Sequence, residues 1–329
     1  MTSLYSLLAI ASLLTTPPNE VPSKSGASPA ISATKSLDVK SKLIDPTPLG
    51  EFSKLSIPLK RAGNLILIDA KIDSIEGSLI FDTGASTLVL NQTYFRNSWP
   101  ADDLASASGV NGMLEGPVMR TNVKRFSLSD LYYENLRADV APLGHLENSR
   151  EVKILGLIGA SIFSRLQVEI DLANEVMYLT KLDRDGNPLQ APSVTNSPDF
   201  EIPLRYSKQH MVIETEIGGR KVPFLLDTGA EMTILDSRLP SKCMEAFVPR
   251  GRSKLIGSDG RRREVITGTL KEIKLAGVEM KYIPAMIADL GQAFDLPISG
   301  IIGYDLFSRG IAVINTRKGL FSMYLYNRN

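Results

Sequence analysis

Apolar and polar positions alternate over short stretches of this chain, and many of the apolar residues are β-branched. Such short alternating runs are typical of β-strands that bury one face. Glycine-bearing turns separate the runs, for example at Gly218-Gly219 and Asp259-Gly260, and this indicates hairpins. The clearest predicted strands are 65–72, 78–81, 221–226 and 311–314.

Helical periodicity is sparse by comparison. The best helix candidates are short, at 160–165 and 304–308, and each directly follows a glycine. The pattern therefore predicts a mostly β protein.

Two stretches of the chain nearly repeat each other. FDTGASTLVL at 81–90 and LDTGAEMTIL at 226–235 carry Asp-Thr-Gly triplets that start at Asp82 and Asp227, an offset of 145 residues. One such triplet is weak evidence, because an isolated copy is an ordinary turn. Two copies in matching apolar surroundings indicate a shared role.

The similarity extends downstream of both triplets. LGLIGASIFSR at 155–165 matches SGIIGYDLFSR at 299–309, at an offset of 144 residues. A repeat of this length indicates a duplicated domain, with copies at roughly 50–182 and 200–329. The stretch 183–199 between them is rich in proline and turn formers, which predicts an interlobe linker.

The N-terminal residues 1–48 differ from both copies. An apolar run of 11 residues at 4–14 is too short to span a bilayer but suits the core of a signal peptide. We therefore expect export to the periplasm or the medium and no stable membrane span; the alternative is a buried or frayed terminal helix. Residues 15–48, rich in Pro, Ser, Thr, Ala and Lys, are predicted to form a flexible linker.

Composition removes several function classes. The 37 Lys and Arg residues nearly balance the 36 Asp and Glu residues, so no global field favours nucleic acid or an anionic membrane. A single cysteine, Cys243, excludes an internal disulfide framework, and two histidines are too few for a multi-histidine metal site. We expect neither a metal nor an organic cofactor.

The repeated triplets suggest a specific chemistry. Each aspartate follows three apolar residues and precedes a glycine, so Asp82 and Asp227 are expected where a buried strand breaks into a tight loop, with Gly84 or Gly229 allowing close backbone approach. Two carboxyl groups brought together share one proton, because both cannot ionise easily. Such a pair activates water and donates a hydrogen bond to a carbonyl. Metal binding is the poorer alternative, because hard cations need more oxygen ligands than this pair supplies.

These motifs resemble the aspartic protease clan that includes the retropepsins and pepsins. DTGAEMTIL is similar to the retroviral-type motif and IIGYDLF to its glycine loop and short helix, and two such domains in one chain most resemble bacterial retropepsin-like aspartyl proteases. The resemblance implies two homologous β-barrel lobes related by pseudo-twofold symmetry. It also implies roles for six residues: the catalytic pair Asp82 and Asp227, the bracing threonines Thr83 and Thr228, and Gly84 and Gly229, whose amides face the carboxylates.

The chain departs from the pepsin pattern in its flap. No aromatic residue occurs between Trp99 and Phe126, so the aromatic flap residue of pepsins is missing. Glycine-bearing segments at 109–116 and 257–268 are candidates for two retropepsin-style flaps, although surface hairpins would look the same. The arginine run 261–263 in the second is interpreted as a solvated hairpin tip, with a preference for acidic substrates as the alternative.

The predicted function is an aspartic endopeptidase that hydrolyses polypeptide substrates with a water activated between Asp82 and Asp227. We expect it to be active as a single-chain pseudodimer. The alternative is a non-catalytic protein that binds extended peptides in the same interlobe cleft. Ala85 and Ala230 stand where many pepsins carry Ser or Thr, so an optimum at mildly acidic to neutral pH is expected.

Overall fold

The computed structural model describes most of both copies. The described residues are 45–85, 87–100, 119–207, 210–256, 262–291 and 296–326, together with the backbone of four short strands before residue 114. Apart from two of these strands and 45–48, the predicted signal segment and flexible linker lie outside the described residues. So do most of the first flap candidate and the tip of the second.

The elements are numbered in chain order. The first half contains β1 (Leu7–Leu8), β2 (Ser12–Leu14), β3 (Lys54–Ala62), β4 (Leu65–Ile72), β5 (Ile75–Phe81), β6 (Leu88–Asn91), β7 (Trp99–Pro100), β8 (Ser108–Gly109), β9 (Gly112–Met113), β10 (Met119–Leu128), β11 (Leu131–Ala141), α1 (Gly144–Arg150), β12 (Ile154–Ile158), the 3₁₀ helix η1 (Ala160–Phe163), β13 (Leu166–Asp171) and β14 (Val176–Lys181).

The second half follows the same plan. It contains β15 (Phe200–Pro203), β16 (Arg205–Ser207), β17 (His210–Ile217), β18 (Arg220–Leu226), β19 (Thr233–Asp236), α2 (Ser241–Met244), β20 (Phe247–Ile256), β21 (Arg262–Leu275), β22 (Val278–Ala288), β23 (Gly300–Ile302), α3 (Tyr304–Phe307), β24 (Gly310–Asn315) and β25 (Leu320–Leu325).

Each copy closes a six-stranded barrel within the described part of the chain. In the N-terminal lobe the order is β4-β5-β12-β6-β11-β10, and β10 pairs back onto β4. In the C-terminal lobe it is β17-β18-β23-β19-β22-β21, and β21 pairs back onto β17. Matching strands occupy matching places, so the prediction of a mostly β protein with two homologous lobes is confirmed.

A further set of strands joins the lobes. Strands β15, β25, β24, β13, β14 and β3 pair in that order, and β13 meets β24 antiparallel at the centre. Glu169 faces Val313, and these positions are equivalent in the two copies because they are 144 residues apart. The local pseudo-twofold axis therefore passes through this pair.

The strands that lead to the Asp-Thr-Gly loops are buried on both faces. In β5, Leu79 and Phe81 pack in the main core, while Ile80 packs in a separate cluster on the other face of the strand. In β18, Phe224 belongs to the main core, while Leu225 packs in a separate cluster on the other face of the strand. Continuous apolar triplets before each aspartate are thus explained by strands with two covered faces.

The short helices near the glycine loops are confirmed, as η1 and α3. Helices α1 and α2 were not predicted; each spans seven residues or fewer, too short to show a clear helical period. Among the described residues, no helix is long and apolar enough to cross a membrane.

Candidate active site

Both aspartates lie where a central barrel strand ends. Asp82 directly follows β5, and its N–H donates to the Ile158 carbonyl at 3.0 Å. Asp227 directly follows β18, and its N–H donates to the Ile302 carbonyl at 3.0 Å. Each loop is therefore tied to the parallel neighbouring strand, β12 or β23, in the same way. Neither carboxyl group is exposed.

The two threonines join the loops to each other. The Thr83 N–H donates to Thr228 Oγ1 at 3.0 Å, and the Thr228 N–H donates to Thr83 Oγ1 at 2.9 Å. Each hydroxyl then donates across the interface, Thr83 to the Leu226 carbonyl and Thr228 to the Phe81 carbonyl, both at 2.8 Å. This reciprocal network satisfies buried polar groups of both loops and fixes their separation.

The glycines bring each loop against the opposite carboxyl group. A Cβ atom at Gly84 would lie 2.6 Å from Cγ of Asp227, and one at Gly229 would lie 2.6 Å from Cγ of Asp82. The Gly84 N–H donates to Oδ1 of Asp82 at 2.8 Å and to Oδ1 of Asp227 at 3.2 Å. One amide hydrogen therefore bridges both carboxyl groups, which lie side by side.

The electrostatics of the pair follow from burial and proximity. Burial raises the pKa of both carboxyl groups, and the charge of Asp82 raises the pKa of Asp227 further. The Oδ2 atoms are buried and receive no hydrogen bond from protein donors in the described part of the chain. A proton on one carboxyl group allows a hydrogen bond between the two, so the arrangement favours one shared proton.

The carboxyl groups are not equivalent. Oδ1 of Asp82 accepts from the N–H groups of Gly84 at 2.8 Å and Ala85 at 3.0 Å. Oδ1 of Asp227 accepts from Gly229 at 2.8 Å and from the shared Gly84 N–H at 3.2 Å. Shorter contacts to amide donors favour the negative charge on Asp82 and the proton on Asp227.

A sequence profile described as Aspartyl protease matches residues 68–162 and again residues 213–306. Together these two matches cover more than half of the chain, and each contains one Asp-Thr-Gly loop and one glycine loop. The chain belongs to the aspartyl protease family.

Solved structures with low sequence identity resemble the chain. Aspartic proteinase from Irpex lacteus is 15% identical with a TM-score of 0.47, over 83% of this chain and 97% of that chain. Basic 7S globulin from soybean is 12% identical with a TM-score of 0.47, over 83% of this chain and 94% of that chain. A search of curated protein sequences found no match.

A second pair of glycines, Gly159 and Gly303, packs closely against the backbone of the two Asp-Thr-Gly loops. A Cβ atom at Gly159 would lie 2.4 Å from the Ala85 carbonyl oxygen, and one at Gly303 would lie 2.5 Å from the Ala230 carbonyl oxygen. Close backbone approach explains why both copies of the apolar-apolar-Gly motif need glycine.

The second flap candidate belongs to a long hairpin. Strands β20 and β21 pair antiparallel, and Lys254 lies opposite Glu264 near the tip. Arg252 forms an exposed ion pair with Glu264 at 3.5 Å. The hairpin is confirmed, while its role as a flap stays a prediction.

The sequence did not reveal a polar cluster beside the Asp227 loop. Arg150 of α1 forms an ion pair with Glu231, and Asn64 donates its backbone N–H to Oε2 of Glu231 at 3.2 Å. Arg61 lies over the Tyr304 ring, with its guanidinium carbon 4.7 Å from the ring centroid. The one visible signal was Glu231 itself, where the other copy carries Ser86.

Proposed function

We propose that this protein is an aspartic endopeptidase in which Asp82 and Asp227 form the catalytic dyad. The observation that carries the proposal is the Gly84 N–H, which reaches a carboxyl oxygen of both aspartates. Two buried carboxyl groups held that close need a shared proton, and burying them costs stability that a loop without a chemical role would not need to lose. Membership of the aspartyl protease family supports the same function.

The proposed mechanism gives each aspartate a separate role. Charged Asp82 takes a proton from a water molecule as that water adds to the carbonyl carbon of a peptide bond, and protonated Asp227 donates its proton to the carbonyl oxygen. A tetrahedral gem-diol forms. Asp82 then passes its proton to the leaving nitrogen and Asp227 regains a proton from a gem-diol hydroxyl, so the C–N bond breaks and the dyad returns to its starting state.

The bracing residues supply preorganisation in this scheme. The amides of Gly84 and Gly229 hold the Oδ1 atoms of the aspartates, while the hydroxyls of Thr83 and Thr228 hold the two loops in register. The Oδ2 atoms are left for water and substrate. Groups fixed before reaction lower the barrier because they need no reorganisation during it.

The test is incubation of the purified protein with a mixed peptide library, followed by mass spectrometry of the products. We expect internal cleavage by the wild type and none by the Asp82→Asn/Asp227→Asn double variant. Peptides that are retained by the wild type without cleavage would instead indicate the non-catalytic binding protein. Equal cleavage by wild type and double variant would overturn the proposed dyad.

A further inference from the structure

A largely buried ion pair crosses between the lobes next to the dyad. Arg150 comes from α1 of the N-terminal lobe, and Glu231 lies four residues after Asp227 in the C-terminal lobe. Their side chains are only 17% and 7% exposed. Asn64 strengthens the contact, because its Nδ2 donates to the Glu231 carbonyl at 3.0 Å while its N–H reaches the carboxylate.

The arginine end of the pair is fixed to the N-terminal barrel. Glu147, one turn before Arg150 on α1, accepts hydrogen bonds from Asn91 Nδ2 and from the Ile154 N–H, each at 3.0 Å. Leu146 on the same helix is buried against Ile80 and Leu157, which belong to two strands of that barrel. Arg150 is therefore held in a fixed position relative to the N-terminal lobe.

The glutamate end is fixed to the Asp227 loop. The Ala230 N–H donates to the Asp227 carbonyl at 3.3 Å, and the Ala230 carbonyl accepts from the Tyr304 N–H at 2.8 Å. Arg61 of the N-terminal lobe packs on the Tyr304 ring and donates to its hydroxyl. Arg150 and Asn64 of the N-terminal lobe thus contact this loop directly, and Arg61 contacts it through Tyr304.

The Asp82 loop has no counterpart to these groups in the sequence. The position equivalent to Glu231 is Ser86, and the position equivalent to Tyr304 is Ala160. A charged pair on one side of a pseudo-twofold axis makes the two loops unequal. Because this pair is nearly buried, removing either partner leaves the other charge without compensation.

We propose that Arg150 and Glu231 are a positioning pair that holds the Asp227 loop where its carboxyl group shares a proton with Asp82. The inference rests on the proposed function and adds to it a residue pair that acts through the loop and does not touch the reacting atoms. Small displacements of catalytic groups lower the rate by large factors, so loss of this ion pair is expected to lower kcat.

The experiment compares Glu231→Gln, Arg150→Gln and the double variant with wild type. The Glu231→Gln substitution keeps an acceptor for the Asn64 N–H while removing the charge. The matched controls are Arg120→Gln and Asp139→Asn, which break an ion pair of 3.2 Å and similar exposure, 17% and 14%, inside the N-terminal lobe. We expect kcat to fall at least about tenfold in the three variants of the positioning pair, with KM changed less than about threefold. The controls should stay within about twofold of wild type.

A second readout separates positioning from a simple electric field. The dyad is titrated by NMR with carboxyl-¹³C aspartate, using Asp82→Asn and Asp227→Asn for assignment. Loss of positioning separates the carboxyl groups, so all three variants should release the shared proton at lower pH than wild type. A change in the electric field alone would lower the pH at which the dyad releases its proton in Glu231→Gln, and would leave that pH unchanged or raised in Arg150→Gln. The double variant would then titrate like wild type. That result would overturn the inference.

The outcomes keep this inference apart from the proposed function. If wild type cleaves peptides and the dyad variants do not, the proposed function stands, and a kcat near wild type in Glu231→Gln and Arg150→Gln would overturn the positioning role alone. If wild type does not cleave, the NMR titration still decides whether the pair positions the dyad. If a single variant does not fold, the double variant, which leaves no unpaired buried charge, provides the comparison.

Discussion

The Asp82 and Asp227 loops make similar contacts where the two lobes meet, but they differ in the residues that follow. From the aspartate to the glycine they share three contacts: an N–H to the parallel strand, a reciprocal threonine bond and a glycine against the opposite carboxyl group. Within this stretch the Gly84 N–H also donates to the opposite aspartate. Two residues beyond the glycine, Ser86 stands opposite Glu231 in the repeat. The shared contacts hold the two loops together at the pseudo-twofold axis. The difference between Ser86 and Glu231 gives the two loops different charges.

The largest expected effect comes from neutralising either aspartate. Asp82→Asn and Asp227→Asn should each lower kcat by about a thousandfold or more, because the water needs one charged carboxylate and the carbonyl needs one acid. Thermal unfolding should show that both variants stay folded. If either single variant kept most of its activity, the two loops would not act as one pair.

The glycines test how closely the loops approach. Gly84→Ala and Gly229→Ala each place a Cβ atom 2.6 Å from the opposite carboxyl carbon, so each should lower the free energy of unfolding and abolish most activity. Overpacking of this kind costs about 1–3 kcal/mol or more. Gly251→Ala is the control, because within the described part of the chain nothing lies within 4 Å of a Cβ atom there. Guanidinium unfolding measures all three, and equal stabilities would contradict the close contact.

The threonines test whether the bracing is symmetric. Thr83→Val leaves the Thr228 N–H and the Leu226 carbonyl unpaired, and Thr228→Val leaves the Thr83 N–H and the Phe81 carbonyl unpaired. We expect similar losses of about 2–4 kcal/mol in the free energy of unfolding, with recovery in Thr→Ser variants that restore the hydroxyl. A loss in only one variant would show that the threonine network is not reciprocal.

A smaller effect is expected in the pH dependence of stability. Burial raises the pKa of Asp82 from its ordinary 3.8 to about 6 and raises that of Asp227 as well, so the folded dyad holds a proton that the unfolded chain has released. Stability from this source is complete below about pH 4 and is lost as the pH rises through about 6.

The variant Asp227→Asn isolates this contribution, because Glu231 and Asp305 also have raised pKa values and titrate in both proteins. The free energy of unfolding of wild type minus that of the variant should decrease from pH 4 to pH 7. A difference that grows over this range would contradict the raised pKa of the dyad.

The same raised pKa leads us to expect maximal activity at mildly acidic to neutral pH, and an optimum confined to strongly acidic pH would argue against it.

The sequence was informative wherever the signal was local or repeated. Strand β4 was predicted with its observed bounds, and both aspartate loops and both short helices after the glycine loops were located from the repeat. Apolar runs and nearby glycines, which lie close together in the sequence, indicate these strands, loops and helices.

Contacts between the lobes were beyond the reach of the same reasoning. Arg150 and Glu231 are 81 residues apart, and nothing around Arg150 distinguishes it from a solvated helix residue. The ion pair exists because α1 is placed by the packing of Leu146 and by Glu147 on the barrel wall. Only the assembled lobes bring the two charges together.

The two Asp-Thr-Gly loops of one chain are proposed to form one site. The most direct measurement is titration with a tight-binding peptide analogue of the tetrahedral intermediate, combined with activity on dilution. We predict one analogue bound per chain, constant specific activity on dilution because linked lobes stay together, and no activity from a mixture of Asp82→Asn and Asp227→Asn chains. Loss of specific activity on dilution, or active sites in that mixture, would show that loops from different chains pair and would contradict the account.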